Sequence, residues 1–153
     1  MSADSPPCHV GLIGLGVMGR NLVLNIADHG YNVAVYNRTG SITTEFLSQH
    51  TSDVFPDAGG LKGCESLEDF VRAIRAPRVI IVLVKAGAAV DAVCEQLISA
   101  GAGPQDIVVD GGNSLWTDTI RRDREGRARA GSCRSTGCCR RRRRCPGALH
   151  RRR

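Results

Sequence analysis

Three glycines, Gly14, Gly16 and Gly19, stand in G-x-G-x-x-G spacing inside HVGLIGLGVMGRNL, residues 9–22. The chemistry this spacing suits is the cradling of a diphosphate. Gly14 permits a tight turn, Gly16 lets the backbone approach a pyrophosphate, and Gly19 lets a helix pack close to the strand before it. A helix opening there presents free N–H groups and the positive end of its dipole to an anion. Leu15, Val17 and Met18 complete the turn. The spacing alone also fits a glycine-rich loop with no ligand. The apolar run before it and the helical pattern after it favour the dinucleotide turn.

Residues 37–39 bear on which dinucleotide. An NAD site usually places Asp or Glu at the end of its second strand, on the ribose 2′-hydroxyl. Here that place holds Asn37-Arg38-Thr39, with no carboxylate to repel a 2′-phosphate. Arg38 can stack on adenine and pair with the phosphate, and Thr39 can donate a hydroxyl bond. The opposing reading makes Arg38 a solvated loop charge. Two further loops follow expected strand ends, where ligands of an open α/β sheet collect. One is VKAG, with Val84, Lys85 and Ala86; the other is DGGNS, in which Asn113 offers an amide that donates and accepts. Either also fits an ordinary strand-to-helix turn.

The elements that would carry these loops alternate. Expected strands are 9–13, 31–37, 78–84 and 106–110. Expected helices run from Val17 to His29, over 41–50, over 66–74, from Ala88 to Ile98, and onward from Ser114. Gly30 suits the left-handed end of the first helix. Ser66 and Asp69 form the start of a capping pattern, and Pro77 closes that helix. Residues 51–63, rich in Gly, Asp and Pro, read as loop with room for one extended piece. Strands alternating with helices predict an α/β fold, a Rossmann-type doubly wound parallel sheet, incomplete after its fourth strand.

Charge divides the chain of 153 residues. Up to residue 120 it carries seven basic and thirteen acidic residues, net −6; beyond, fourteen arginines face two acids, net +12. The basic pI therefore describes a tail. Three readings compete for 126–153: an Arg-rich nucleic-acid-binding or nuclear-entry segment, a zinc site, or a disordered or out-of-frame stretch. For zinc, Cys133, Cys138, Cys139, Cys145 and His150 match no common closed spacing, and adjacent arginines repel a cation. The out-of-frame reading is preferred, and no metal is expected. Seven cysteines and an N-terminus without a signal or transit pattern point to a reducing, cytoplasmic setting. No apolar run approaches a membrane span of ~20 residues. The expected organisation is a flexible N-terminus over 1–8, a nucleotide-binding domain over 9–125, and the tail.

GLIGLGVMGRNL, YNRT, LVKAG and VVDGGNSLWTDTIRR, in this order, resemble the decarboxylating 6-phosphogluconate dehydrogenases over about residues 9–125. Related 3-hydroxyacid dehydrogenases share the glycine turn and differ at VKAG and DGGNS. The resemblance implies an NADP-binding domain and an oxidoreductase of the pentose phosphate pathway. Its reaction would oxidise 6-phosphogluconate and release CO2 to give ribulose 5-phosphate. It maps cofactor contacts onto 14–19, Asn37, Arg38, Thr39, Val84, Lys85 and Ala86, and a joint cofactor and substrate contact onto Asn113. The family's later substrate loop, and the helical domain with its catalytic lysine and glutamate and most dimer contacts, have no counterpart here. Lys85 does not match that lysine, so no catalytic residue is assigned. The alternatives are a stand-alone NADP-binding module or sensor, a 3-hydroxyacid dehydrogenase fragment, and the nucleic-acid binder.

Overall fold

The computed structural model describes residues 7–50, 60–130 and 134–135, with side chains through Glu125. Six strands, β1 (Val10–Ile13), β2 (Val33–Tyr36), β3 (Leu61–Gly63), β4 (Val79–Val82), β5 (Ile107–Asp110) and β6 (Arg134–Ser135), form one sheet in the order β3-β2-β1-β4-β5-β6. Every pairing is parallel. This is the doubly wound order, with its switch point between β1 and β4. Five helices connect the strands: α1 (Val17–Asp28), α2 (Gly40–Gln49), α3 (Leu67–Ala73), α4 (Ala88–Ser99) and α5 (Trp116–Ala130).

Successive strand residues point to opposite faces, and the sheet separates two cores accordingly. Leu12, Val33 and Val35 pack with Val23 of α1 and Phe46 of α2. Ile13, Ala34, Ile80 and Val82 pack with Phe70 of α3 and Leu97 of α4. The β-branched run Val79–Val82 is apolar throughout because it feeds both: Ile80 and Val82 face one core, and Ile81 packs against the other.

Local signals set the helix ends. Ser66 caps α3 by accepting from the Asp69 N–H at 3.1 Å. Gly30, at φ +80°, follows α1 and donates its N–H to the Ala27 carbonyl at 2.8 Å. At the lower edge Asp106 is buried yet fully engaged. Its carboxylate accepts from the backbone N–H of Arg78 at 2.7 Å, from that of Gly103 at 2.8 Å, and from the Arg78 guanidinium at 3.0 Å. This joins the starts of β4 and β5.

The structure extends, fills in or adjusts the expected elements at four places. The sheet does not stop after the fourth expected strand, β5: Arg134 and Ser135 pair beside Ile107 and Val108. The Gly-rich stretch, read as loop with room for one extended piece, carries that piece as β3 at its end, pairing with β2. The third helix ends at Ala73, before Pro77, because Ile74 turns extended and bridges to Cys8. Helix α5 continues to Ala130, past residue 125. Cys133, Cys138, Cys139, Cys145 and His150 of the zinc reading, and the arginine run of the tail, lie outside the described residues. No described helix is long and apolar enough to cross a membrane.

Candidate dinucleotide-binding site

The C-terminal ends of β1, β2 and β4 open onto one cleft of about 410 Å³. Gly14 and Gly16 form its floor, Asn37, Arg38 and Thr39 one wall, and Val84 and Lys85 the other. Helix α4 closes it with Ala89, Ala92, Val93 and Gln96. The two alanines keep that wall shallow. The sequence reading did not assign the α4 face, whose residues are those of any amphipathic helix.

Each glycine answers to a different constraint. Gly14 sits at φ +103°, where side chains are strained, and a Cβ there would collide with the Leu83 carbonyl. A Cβ on Gly19 would collide with the Gly14 carbonyl, so this glycine sets how closely α1 approaches β1. A Cβ on Gly16 would meet nothing within 4 Å. Gly16 caps α1 with extended backbone and no side-chain cap bond. Arg20 N–H is the first to bond back, to the Gly16 carbonyl at 2.9 Å. The N–H groups of the first turn before it have no intrahelical acceptor. Open space thus lies over unused donors at a positive dipole end, a cradle that a phosphate fits.

Leu15 is a core residue, and its N–H donates to Asn37 Oδ1 at 3.2 Å. The Asn37 amide donates to the Thr39 carbonyl at 3.2 Å. Asn37 therefore ties the glycine turn to the end of β2. Arg20 braces the same turn: its Nε donates to the Leu15 carbonyl at 3.1 Å, and its guanidinium pairs with Glu45 at 3.7 Å. Arg38 and Lys85 are exposed, and neither side chain has a hydrogen bond or ion pair among the described residues. The cleft thus carries two unneutralised cations on opposite walls, as an anionic ligand requires.

Other expected residues lie apart from the cleft lining. Val17 and Met18 begin α1 with 78% and 72% of their surface exposed. Ala86 and Asn113 are also exposed, on the loops after β4 and β5.

Arg122 of α5, which sequence reasoning missed, is buried beside those loops. It binds Asp91, Asp110, Ser114 and the Gly87 carbonyl. Its hydrogen bond, with help from Arg121, holds the Asp91 carboxyl below the usual range despite partial burial. No signal marked Arg122: it stands among neighbouring arginines in the sequence.

A sequence profile for the NAD binding domain of 6-phosphogluconate dehydrogenase matches residues 9–137. The chain belongs to this family. Among curated relatives, decarboxylating 6-phosphogluconate dehydrogenase 1 of Saccharomyces cerevisiae is 45% identical over 125 residues, covering 82% of this chain and 23% of the yeast protein. The Synechococcus elongatus enzyme is 49% identical over 112 residues, covering 73% and 22%. The solved Plasmodium falciparum 6-phosphogluconate dehydrogenase, studied apo, with its cofactor NADP+ and with its substrate 6-phosphogluconate, superposes at TM-score 0.69 with 35% identity. It covers 79% of this chain and 25% of that one. A reductive aminase of Aspergillus terreus, at TM-score 0.61 and 20% identity, shares the fold. The chain spans about a quarter of the length of the relatives it matches.

Proposed function

We propose that this chain binds NADP as the cofactor portion of a cytoplasmic 6-phosphogluconate dehydrogenase, and that alone it does not turn over 6-phosphogluconate. The carrying observation is the pairing of the open Gly16 cradle with an unpartnered Arg38 at the end of β2. Bound there, the cofactor would supply a hydride acceptor for oxidation of the sugar acid. The first turn of α1 takes the diphosphate. Arg38 and Thr39 take the 2′-phosphate, with no carboxylate at the end of β2 to repel it. Val84 and Lys85 line the opposite wall, and Asn113 stands at the substrate side.

The second half of the proposal rests on proton transfer. Oxidation needs a base within hydrogen-bond reach of the substrate hydroxyl. Around these loops, Asp91 and Asp110 are both engaged by Arg122, so neither carboxylate is turned toward a substrate hydroxyl. Lys85 is reserved for the cofactor wall.

Titration of the purified chain with NADP and NAD tests the reading. NADP should bind the more tightly. One charge-assisted contact of ~1.5–3 kcal/mol corresponds to about 10- to 150-fold. Arg38→Ala should remove that preference and leave NAD nearly unchanged; equal loss for both cofactors refutes the 2′-phosphate assignment.

A further inference from the structure

All five N–H donors of Arg122 are used. Nε donates to Asp91 Oδ1 at 2.7 Å, Nη1 to Asp110 Oδ2 at 3.3 Å and Ser114 Oγ at 3.4 Å, and Nη2 to the Gly87 carbonyl at 3.0 Å and Asp91 Oδ2 at 3.3 Å. The residue is only 5% exposed. Burying a guanidinium costs several kcal/mol unless its bonds are satisfied, and the partners that satisfy this one could all have come from a single element. Here the fork instead spans two loops. Gly87 ends the loop after β4, and Ser114 belongs to the loop after β5. Gly87 also sits at φ +94°, a backbone state that aims its carbonyl as few other residues could.

Topology says what those loops serve. In a doubly wound sheet the dinucleotide crosses the switch point. The glycine turn of β1 takes the diphosphate and the end of β2 the adenosine half. The nicotinamide half then falls over the ends of β4 and β5, where Arg122 joins the two loops.

We propose that Arg122, oriented by Asp91, is a positioning residue that fixes the loops receiving the nicotinamide half of the cofactor, leaving the adenosine half to other residues. This rests on the NADP reading above. Lysine cannot replace it, because one ammonium cannot reach both loops and both carboxylates in a planar fork.

The test compares two probes on the full chain: NADP, and adenosine 2′,5′-bisphosphate, which keeps the adenosine half and lacks nicotinamide. Two variants are used. Arg122→Lys keeps the charge and loses the fork. Asp91→Asn, at a half-exposed site, keeps the shape and loses the orienting carboxylate. Each should weaken NADP roughly five- to tenfold, the worth of about one hydrogen bond, and leave the bisphosphate within about twofold. A role in stability alone would weaken both probes alike, or neither, and either result overturns the proposal. If Arg122→Lys does not fold, Asp91→Asn decides by the same criterion. A parent chain that binds neither probe refutes the cofactor reading itself, and the positioning role falls with it. Parent binding without selective loss in the variants removes only the positioning role.

Discussion

Replacing Gly16 by Val separates binding from folding at one position. The backbone there is φ −72°, ψ −175°, extended geometry open to any residue, and the added Cβ meets no atom within 4 Å. The fold loses only what a glycine helix cap contributes over a branched residue, about 1 kcal/mol. For a chain of this size that is a Tm decrease of roughly 2–4 °C. Binding should lose far more, because the branched side chain fills the space over the first turn of α1. Two charge-assisted N–H bonds to the diphosphate, at ~1.5–3 kcal/mol each, amount to about 3–6 kcal/mol, at least a hundredfold in Kd. Calorimetric titration with NADP reads the loss, and far-ultraviolet circular dichroism checks the fold. Gly19→Ala is the contrasting control. Its Cβ runs into the Gly14 carbonyl, so α1 must move from β1, costing ~1–3 kcal/mol of stability along with affinity. A Gly16→Val chain that stays folded and binds NADP within about threefold of the parent would defeat the cradle argument.

Three further outcomes are expected. The chain alone, assayed for NADPH formation with 6-phosphogluconate, should show no turnover; a rate near ~10 per second would mean that a proton-transfer group has been overlooked. Acid should destabilise the fold through Asp91 and Asp106. Burial acts to raise the Asp106 pKa, but the Gly103 and Arg78 N–H groups and the Arg78 guanidinium outweigh it and leave it lowered; Asp91 is lowered chiefly by Arg122. A folded pKa below the unfolded value contributes stability above about pH 4 that is lost as pH falls through the folded pKa. Tm should thus hold from neutral pH to about pH 5 and drop below about pH 4; a flat profile would contradict the ion pairs. Asp106→Asn turns an amide toward the donors it met as a carboxylate and leaves the half-buried Arg78 guanidinium without its counter-charge. It should cost about 3 kcal/mol by denaturant unfolding and flatten part of that acid slope.

The parallel sheet was readable because its strands are apolar runs and its turns carry glycine. HVGLI, RVIIVLV and DIVVD could hardly be anything else between helical periods. Leu61–Gly63 was less legible because three residues containing Lys62 and Gly63 have no alternation to detect, and their place comes from pairing with β2. Arg134 and Ser135 carry no strand signal either; register against β5 alone defines them. At the site, the glycine turn and Arg38 follow from local chemistry. Asn37 as a brace, Arg20 beneath the turn and Arg122 between two loops do not, since each acts across more distant sequence. A polar residue read alone shows what it can bond, and only the fold shows which partner takes the bond first.

The division of the interior by the sheet reaches beyond stability. Leu12 and Ile13 are neighbours in sequence yet serve different cores, whereas Val23 and Leu97 lie on opposite sides of the strand layer. Truncations at Val23 and Leu97 should therefore add, within about 0.5 kcal/mol, as uncoupled sites do. A change in packing on the α1–α2 side should therefore leave the α3–α4 side largely unaltered. The cleft is where that independence ends. Its floor belongs to one half and its far wall to the other, so the mouth of the site is the place where two separately packed interiors must keep to a common geometry.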